Sequence, residues 1–223
     1  MGIFESIVVV YLRKIYYPNG FEFPLAVISE QIINIELFRE VCTLIMLLSV
    51  AWLTANNKNQ IFPFFLFSFA VWDIVYYIGL KIILNWPSSF FTWDILFLIP
   101  VPWVGPVISP IIVSLTMICL SLIILYTQKN NSNFKLRIYE WLLIYLGAVL
   151  IFISFIWDYA KFIIENLSNK ISISAEINNS LALIYSRYVP TYFHWDIYIV
   201  GIISIYISIF LIIKRFIFST KLV

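Results

Sequence analysis

The 223-residue chain is 62% hydrophobic, 19% aromatic and only 12% charged, with a net charge of +2 and a mean hydropathy of +0.96. Soluble domains average about 45–50% apolar and about 25% charged residues, and a water-soluble fold of this composition would expose a large apolar patch, so the solvent of this chain is lipid. The small, unclustered positive charge excludes a nucleic-acid partner, which needs a concentrated cationic footprint.

In chain order, residues 1–37 come first as an interfacial, amphipathic segment. The stretch IFESIVVVYLRKIYYP is too short to cross a bilayer and carries Arg13 and Lys14, which suits a helix lying at the membrane surface. It has neither the basic start nor the small-residue cleavage site of a signal peptide. NGFEFP then reads as a turn. Residues 38–215 form a single transmembrane helical bundle, because spans of about 20 mostly apolar residues recur at about 38–55, 61–84, 139–164 and 196–214. Between them, residues 93–127 would make a straight helix of about 50 Å, against a hydrocarbon core of about 30 Å. This stretch holds Pro100, Pro102, Pro106 and Pro110, each removing a helical donor and clashing one turn back. It is therefore expected as a broken segment over 93–106, packed within protein, followed by a full span over 107–126. The fold class is an all-α integral membrane protein with about five transmembrane helices, one Pro-broken segment and an N-terminal interfacial helix. A short basic tail, 216–223, closes the chain.

Lysine and arginine bias orients such a bundle. Lys129, Lys135 and Arg137 in one connection, and Lys214, Arg215 and Lys221 near the end, fall on one side with the NNKNQ loop at 56–60. That side, with the C-terminus, is expected to be cytoplasmic. Arg13, Lys14, Lys170 and Arg187 on the other side oppose this assignment. The long connection 165–192 faces outward.

All four aspartates, Asp73, Asp94, Asp158 and Asp196, directly follow a tryptophan: Trp72, Trp93, Trp157 and Trp195. Independent placement would do this roughly once in a million chains of this composition, so the pairing asks for a physical role. With the topology above, every aspartate falls in one leaflet, together with Glu36, Glu40 and the sole histidine, His194. A charge near the bilayer centre costs at least about 2.5–3.5 kcal/mol, so these groups face the bundle interior. They define an expected polar site of Asp73, Asp158, Asp94, Asp196, His194, Glu36 and Glu40. Lys81, Lys161, Tyr76 and Tyr77 supply partners at helical spacing, and Arg39 stands beside the two glutamates. The indoles of Trp72, Trp93, Trp157, Trp195 and Trp103 wall the pocket and offer N–H donors. Simpler roles fit the same residues: Asp94 and Asp196 as helix N-terminal caps, and Asp73 or Asp158 as ion-pair partners of Lys81 or Lys161.

No GxSxG, HExxH, Walker or GxGxxG motif occurs, so neither a nucleotide nor a soluble-enzyme site is indicated. There is no Fe–S motif, and a bis-His haem is impossible with one histidine. Cys42 and Cys119 stand alone as inert thiols. Carboxylates with one imidazole suit a divalent metal ion, with Asp73, Asp158, His194 and Asp196 as ligands, or a shared proton. The leading expectation is a cation-binding site (metal ion or proton) open toward the outer face, in a small transporter or an accessory subunit of a larger membrane complex. Other membrane subunits or self-association would then be partners besides the lipid bilayer. Two alternatives use the same residues: a membrane-embedded enzyme acting on a lipid or isoprenoid with Asp acid/base or metal-ligand groups, and a purely structural subunit.

Overall fold

In the computed structural model, residues 1–131, 134–170 and 187–220 are described, the side chains of 167–170 and 218–220 excepted. They form α1 (Gly2–Tyr16), α2 (Glu30–Thr54), α3 (Lys58–Leu84), β1 (Trp93–Phe97), β2 (Trp103–Pro106), α4 (Ile108–Asn130), α5 (Ile138–Lys170) and α6 (Trp195–Thr220). Five of these, α2 through α6, are long and apolar enough to cross a membrane, which is the composition of a multi-pass integral membrane protein.

The helix ends follow from local chemistry. The Asn57 side chain accepts from the Asn59 N–H at 3.0 Å and starts α3, and Asn85, left-handed at φ 52°, ends it. Lys81 Nζ then donates to the carbonyls of Asn85 and Pro87 at 3.4 and 3.0 Å, satisfying acceptors that a helix end leaves open. Pro110 sits in the first turn of α4, where its missing N–H costs nothing.

The helices alternate in direction. Gln128 Nε2 donates to Asn59 O at 3.1 Å, bringing the end of α4 to the start of α3. Ser208 and Ser204 of α6 donate to the carbonyls of Glu140 and Leu143 near the start of α5. Midway along that pair a Cβ on Gly147 would stand 2.6 Å from the Gly201 carbonyl, so the two backbones meet where neither residue has a side chain. Tyr198 donates to Ser109 O at 2.7 Å, so α4 and α6 begin side by side. One end of the bundle thus carries α1, the hairpin, and the connections 17–29, 85–92 and 187–194. The other end carries a buried clamp: Arg215 reaches Glu140 at 2.8 Å and lies over the Phe134 ring at 4.3 Å.

Besides the start of α2 at Glu30, inside the segment 1–37 expected to be interfacial, two expectations change here. The segment 93–106 is not a broken helix but an antiparallel hairpin, with Trp93 opposite Pro106, Asp94 opposite Gly105 and Ile95 opposite Val104. Pro100 and Pro102 fall in its turn and Pro106 ends its second strand, where a missing donor is tolerated. Asp94 therefore lies in a strand and caps no helix. The hairpin is covered by protein on several sides: Trp103 stacks on Phe155, and a Cβ on Gly105 would strike the same ring at 2.9 Å. Non-helical backbone survives beside lipid only under such cover. The second change is α5, which continues past 164 to Lys170, about 50 Å in all. Of the long connection expected over 165–192, residues 171–186 lie outside the described residues, as does Lys221.

Candidate functional site

The N-terminal helix inverts the pattern of a soluble amphipathic helix. Its buried residues are Gly2, Glu5, Ser6 and Arg13, one stripe at helical spacing, while Phe4 is 75% exposed and Tyr11 and Ile15 also point outward. In lipid the apolar face needs no cover, and the charged face must find partners inside. It finds them on α2, α3 and the hairpin.

Arg13 Nη2 donates to Asp94 Oδ1 at 2.8 Å, with side-chain exposures of 9% and 1%. The hydroxyl of Tyr77 donates to the other Asp94 oxygen at 3.2 Å. The Arg13 guanidinium also lies over the rings of Trp86 and Phe21, at 3.7 and 4.5 Å. Burial pushes the Asp94 carboxyl up to about 6, against the downward pull of Arg13 and of the Ile95 and Tyr77 donors. One helix further, Arg39 bridges Glu5 and Glu36, the latter at 2.8 Å. Burial likewise raises the Glu5 carboxyl above its ordinary range, offset in part by Arg39.

Two more carboxylates reach this place from α2 and α3. Glu40 takes the Leu98 backbone N–H on both its oxygens at 3.0 Å, fastening the hairpin tip about 15 Å along α2 from Glu30. Asp73, about 16 Å before the end of α3, accepts from Ser114 Oγ of α4 at 2.8 Å. Neither has a cationic partner within ion-pair distance among the described residues. All five carboxylates, Glu5, Glu36, Glu40, Asp73 and Asp94, line one cavity of about 170 Å³ together with Arg13 and Arg39. Half of its remaining wall is aromatic, from Tyr16, Tyr17, Phe21, Trp72, Tyr76 and Phe97, and half aliphatic. A larger groove of about 700 Å³ runs between α4 and α6 at the opposite end, but Lys129 is its one charged residue and its surface is otherwise nearly all apolar, as a lipid-facing groove would be.

Of the residues expected from sequence, Asp73, Asp94, Glu36, Glu40, Tyr76 and Trp72 share this cavity, and Tyr77 stands behind it on Asp94. The others lie elsewhere. Asp158 accepts from Tyr188 at 2.8 Å and from the Thr191 hydroxyl and N–H at 3.1 and 3.3 Å, tying the 188–191 segment to α5. Asp196, its side chain 72% exposed, stands 3.6 Å from His194 at the start of α6. Lys161 faces Glu165 across 3.9 Å on an exposed surface, and Lys81 serves the end of α3. Trp103 donates to Ile99 O at 2.9 Å, Trp93 and Trp195 pack against Phe193, and Trp157 packs edge-on to His194. The four proposed metal ligands are thus not gathered. Among the described residues no group of three or more His, Cys, Asp or Glu is arranged to hold a metal ion.

Glu5, Arg13 and Ser114 were absent from the expected site. A signal for the first two exists: Gly2, Glu5, Ser6 and Arg13 fall on one helical face, and in a lipid-facing helix that face is the inward one. No protein-family model, curated protein or solved structure matches the chain.

Proposed function

We propose that this is a multi-pass membrane protein whose acidic cavity, at the end of the bundle that carries α1 and the hairpin, holds a proton or a small cation. One observation carries this reading: Asp73 and Glu40 line a half-open cavity with hydrogen-bond donors but, among the described residues, no cation within ion-pair distance. An ionised carboxylate in such surroundings is strongly disfavoured unless paired. The two guanidiniums present are already engaged by Asp94, Glu5 and Glu36. Five carboxylates against two guanidiniums leave an excess that protons or a bound cation must balance.

The protein acts as a small transporter or as an accessory subunit of a larger membrane complex. Five spans without an inverted repeat do not make a self-sufficient alternating-access carrier, so other subunits or a second copy complete the path. The lysines and arginines near 129–137 and 214–215 favour the opposite end as cytoplasmic, which turns the cavity outward.

Equilibrium dialysis of the detergent-purified protein tests the reading. Sodium, potassium, magnesium and calcium would be counted by mass spectrometry, and protons by pH-stat. Wild type is expected to take up a cation, or to release protons when one is added, and Asp73→Asn and Glu40→Gln to lose that response. A wild type that binds no cation and exchanges no proton differently from both variants overturns it.

A further inference from the structure

The cavity offers more than negative charge. The Arg13 Nη1 and Trp72 Nε1 donors are both buried without a partner, and the side chains that carry them line the cavity with less than a tenth of their surface exposed. A buried N–H without an acceptor is costly, so each calls for an oxygen that no described residue provides. Opposite in demand, Asp73 and Glu40 call for a cation. The same cavity wall carries aromatic rings, with Trp72 and Tyr76 stacked at 6.4 Å and Tyr17 edge-on to Phe21 at 5.0 Å. Aromatic faces beside carboxylates attract alkylammonium groups through the ring quadrupole and the carboxylate charge together. The cavity is also too large for a bare ion: its 170 Å³ is about six times the share of one water in the liquid.

Resting on the cation reading above, we infer that the cavity binds an organic ammonium ion that also carries an acceptor oxygen, the chemistry of an amino alcohol, free or as its phosphate ester in a lipid headgroup. The ammonium end lies toward Asp73 and Glu40 and the aromatic rings. The oxygen end accepts from Arg13 Nη1 and Trp72 Nε1. Asp94 and Glu36 stay occupied by Arg13 and Arg39 and hold those two cations in place.

The test is calorimetric titration of the full-length protein in detergent with ethanolamine, with propylamine (which lacks the oxygen) and with potassium. Ethanolamine is expected to bind at least about tenfold tighter than either, because only it supplies both an ammonium and an acceptor. Asp73→Asn and Glu40→Gln should each lose about tenfold or more. Trp72→Phe keeps the ring and removes the N–H, so it should shrink the preference for ethanolamine over propylamine, and it does not require an aspartate variant to fold. The source is separated by melting the protein in nanodiscs of phosphatidylethanolamine or phosphatidylglycerol. Stabilisation confined to the first, and lost in Asp73→Asn, assigns the lipid headgroup; binding of free ethanolamine with equal melting in both assigns the free amine. Amines that bind no better than potassium in detergent, with equal melting in both discs, overturn the inference. So does an unchanged ethanolamine preference in Trp72→Phe. If protons or inorganic cations still act at Asp73 and Glu40 in that case, the cation reading stands without this one; if they do not, both fall.

Discussion

Replacing Arg13 by methionine removes the cation from a pair whose carboxylate is 1% exposed and whose N–O distance is 2.8 Å. Removing one partner of a buried pair costs about 3–5 kcal/mol, because the remaining charge is uncompensated. The size of that loss depends on pH. Asp94 is pushed up to about 6 by burial, so near pH 5 it is mostly neutral and needs little from Arg13. Near pH 8 it is charged and needs the guanidinium most. At the lower pH the loss should fall to the stacking over Trp86 and Phe21, about 0.5–2 kcal/mol. Thermal unfolding in detergent reads the difference: at roughly 2–4 °C per kcal/mol for a chain of this size, the deficit at pH 8 is about 6–20 °C. The double variant Arg13→Met/Asp94→Asn should recover most of it, since replacing both members of a buried pair is often neutral. Equal losses at pH 5 and pH 8, or a double variant no better than the single, would refute the reasoning.

Three further outcomes follow from the same geometry. Since the folded-state value of Asp94 lies above its unfolded value, the stability it contributes is fully present below about pH 4 and is lost as pH rises through about 6. That is about 3 kcal/mol for a shift of about two units, and Asp94→Asn should flatten this part of the stability–pH curve relative to wild type. Gly147→Ala places a Cβ 2.5 Å from Ile205 Cγ1 and 2.6 Å from the Gly201 carbonyl. Forcing α5 and α6 apart should cost about 1–3 kcal/mol, and wild-type melting would show that the helices do not meet there. Ser114→Ala removes the hydroxyl on Asp73 and should cost about 1–3 kcal/mol; a bound cation that replaces the lost hydrogen bond should restore part of that in a melting assay.

The five spanning helices were readable because lipid demands long apolar runs, and 20-residue hydropathy detects these without any knowledge of packing. The hairpin was not. WDILF and WVGP are short apolar runs, which periodicity cannot assign to strand or helix, and only the prolines signalled that a regular helix was excluded. The inward charged face of α1 was missed for a different reason: a short helix with Arg13 and Lys14 at its end fits a surface helix equally well. Placing the acids at one end of the bundle was enough to bring Asp73, Asp94, Glu36 and Glu40 together, because depth along each helix follows from counting residues. Which helices are neighbours does not. Asp158 and Asp196, at similar depth on α5 and α6, therefore joined the expected site, whereas in the structure α1, α2, α3 and the hairpin build it. The recurring Trp-Asp pair also resolves differently at each position, since adjacent residues on a helix point about 100° apart and β1 is not a helix at all.

The state of Asp73 and Glu40 is the most direct measure of the account. Difference infrared spectroscopy of the purified protein resolves the carbonyl stretch of a protonated carboxyl from the bands of carboxylates. Wild type at neutral pH is expected to show a protonated-carboxyl band that diminishes in Asp73→Asn and in Glu40→Gln, or carboxylate bands that shift when a cation is added and fail to shift in those variants. Spectra without a protonated band at any pH above the ordinary carboxylate range, indifferent to every added cation and identical in wild type and both variants, would contradict it.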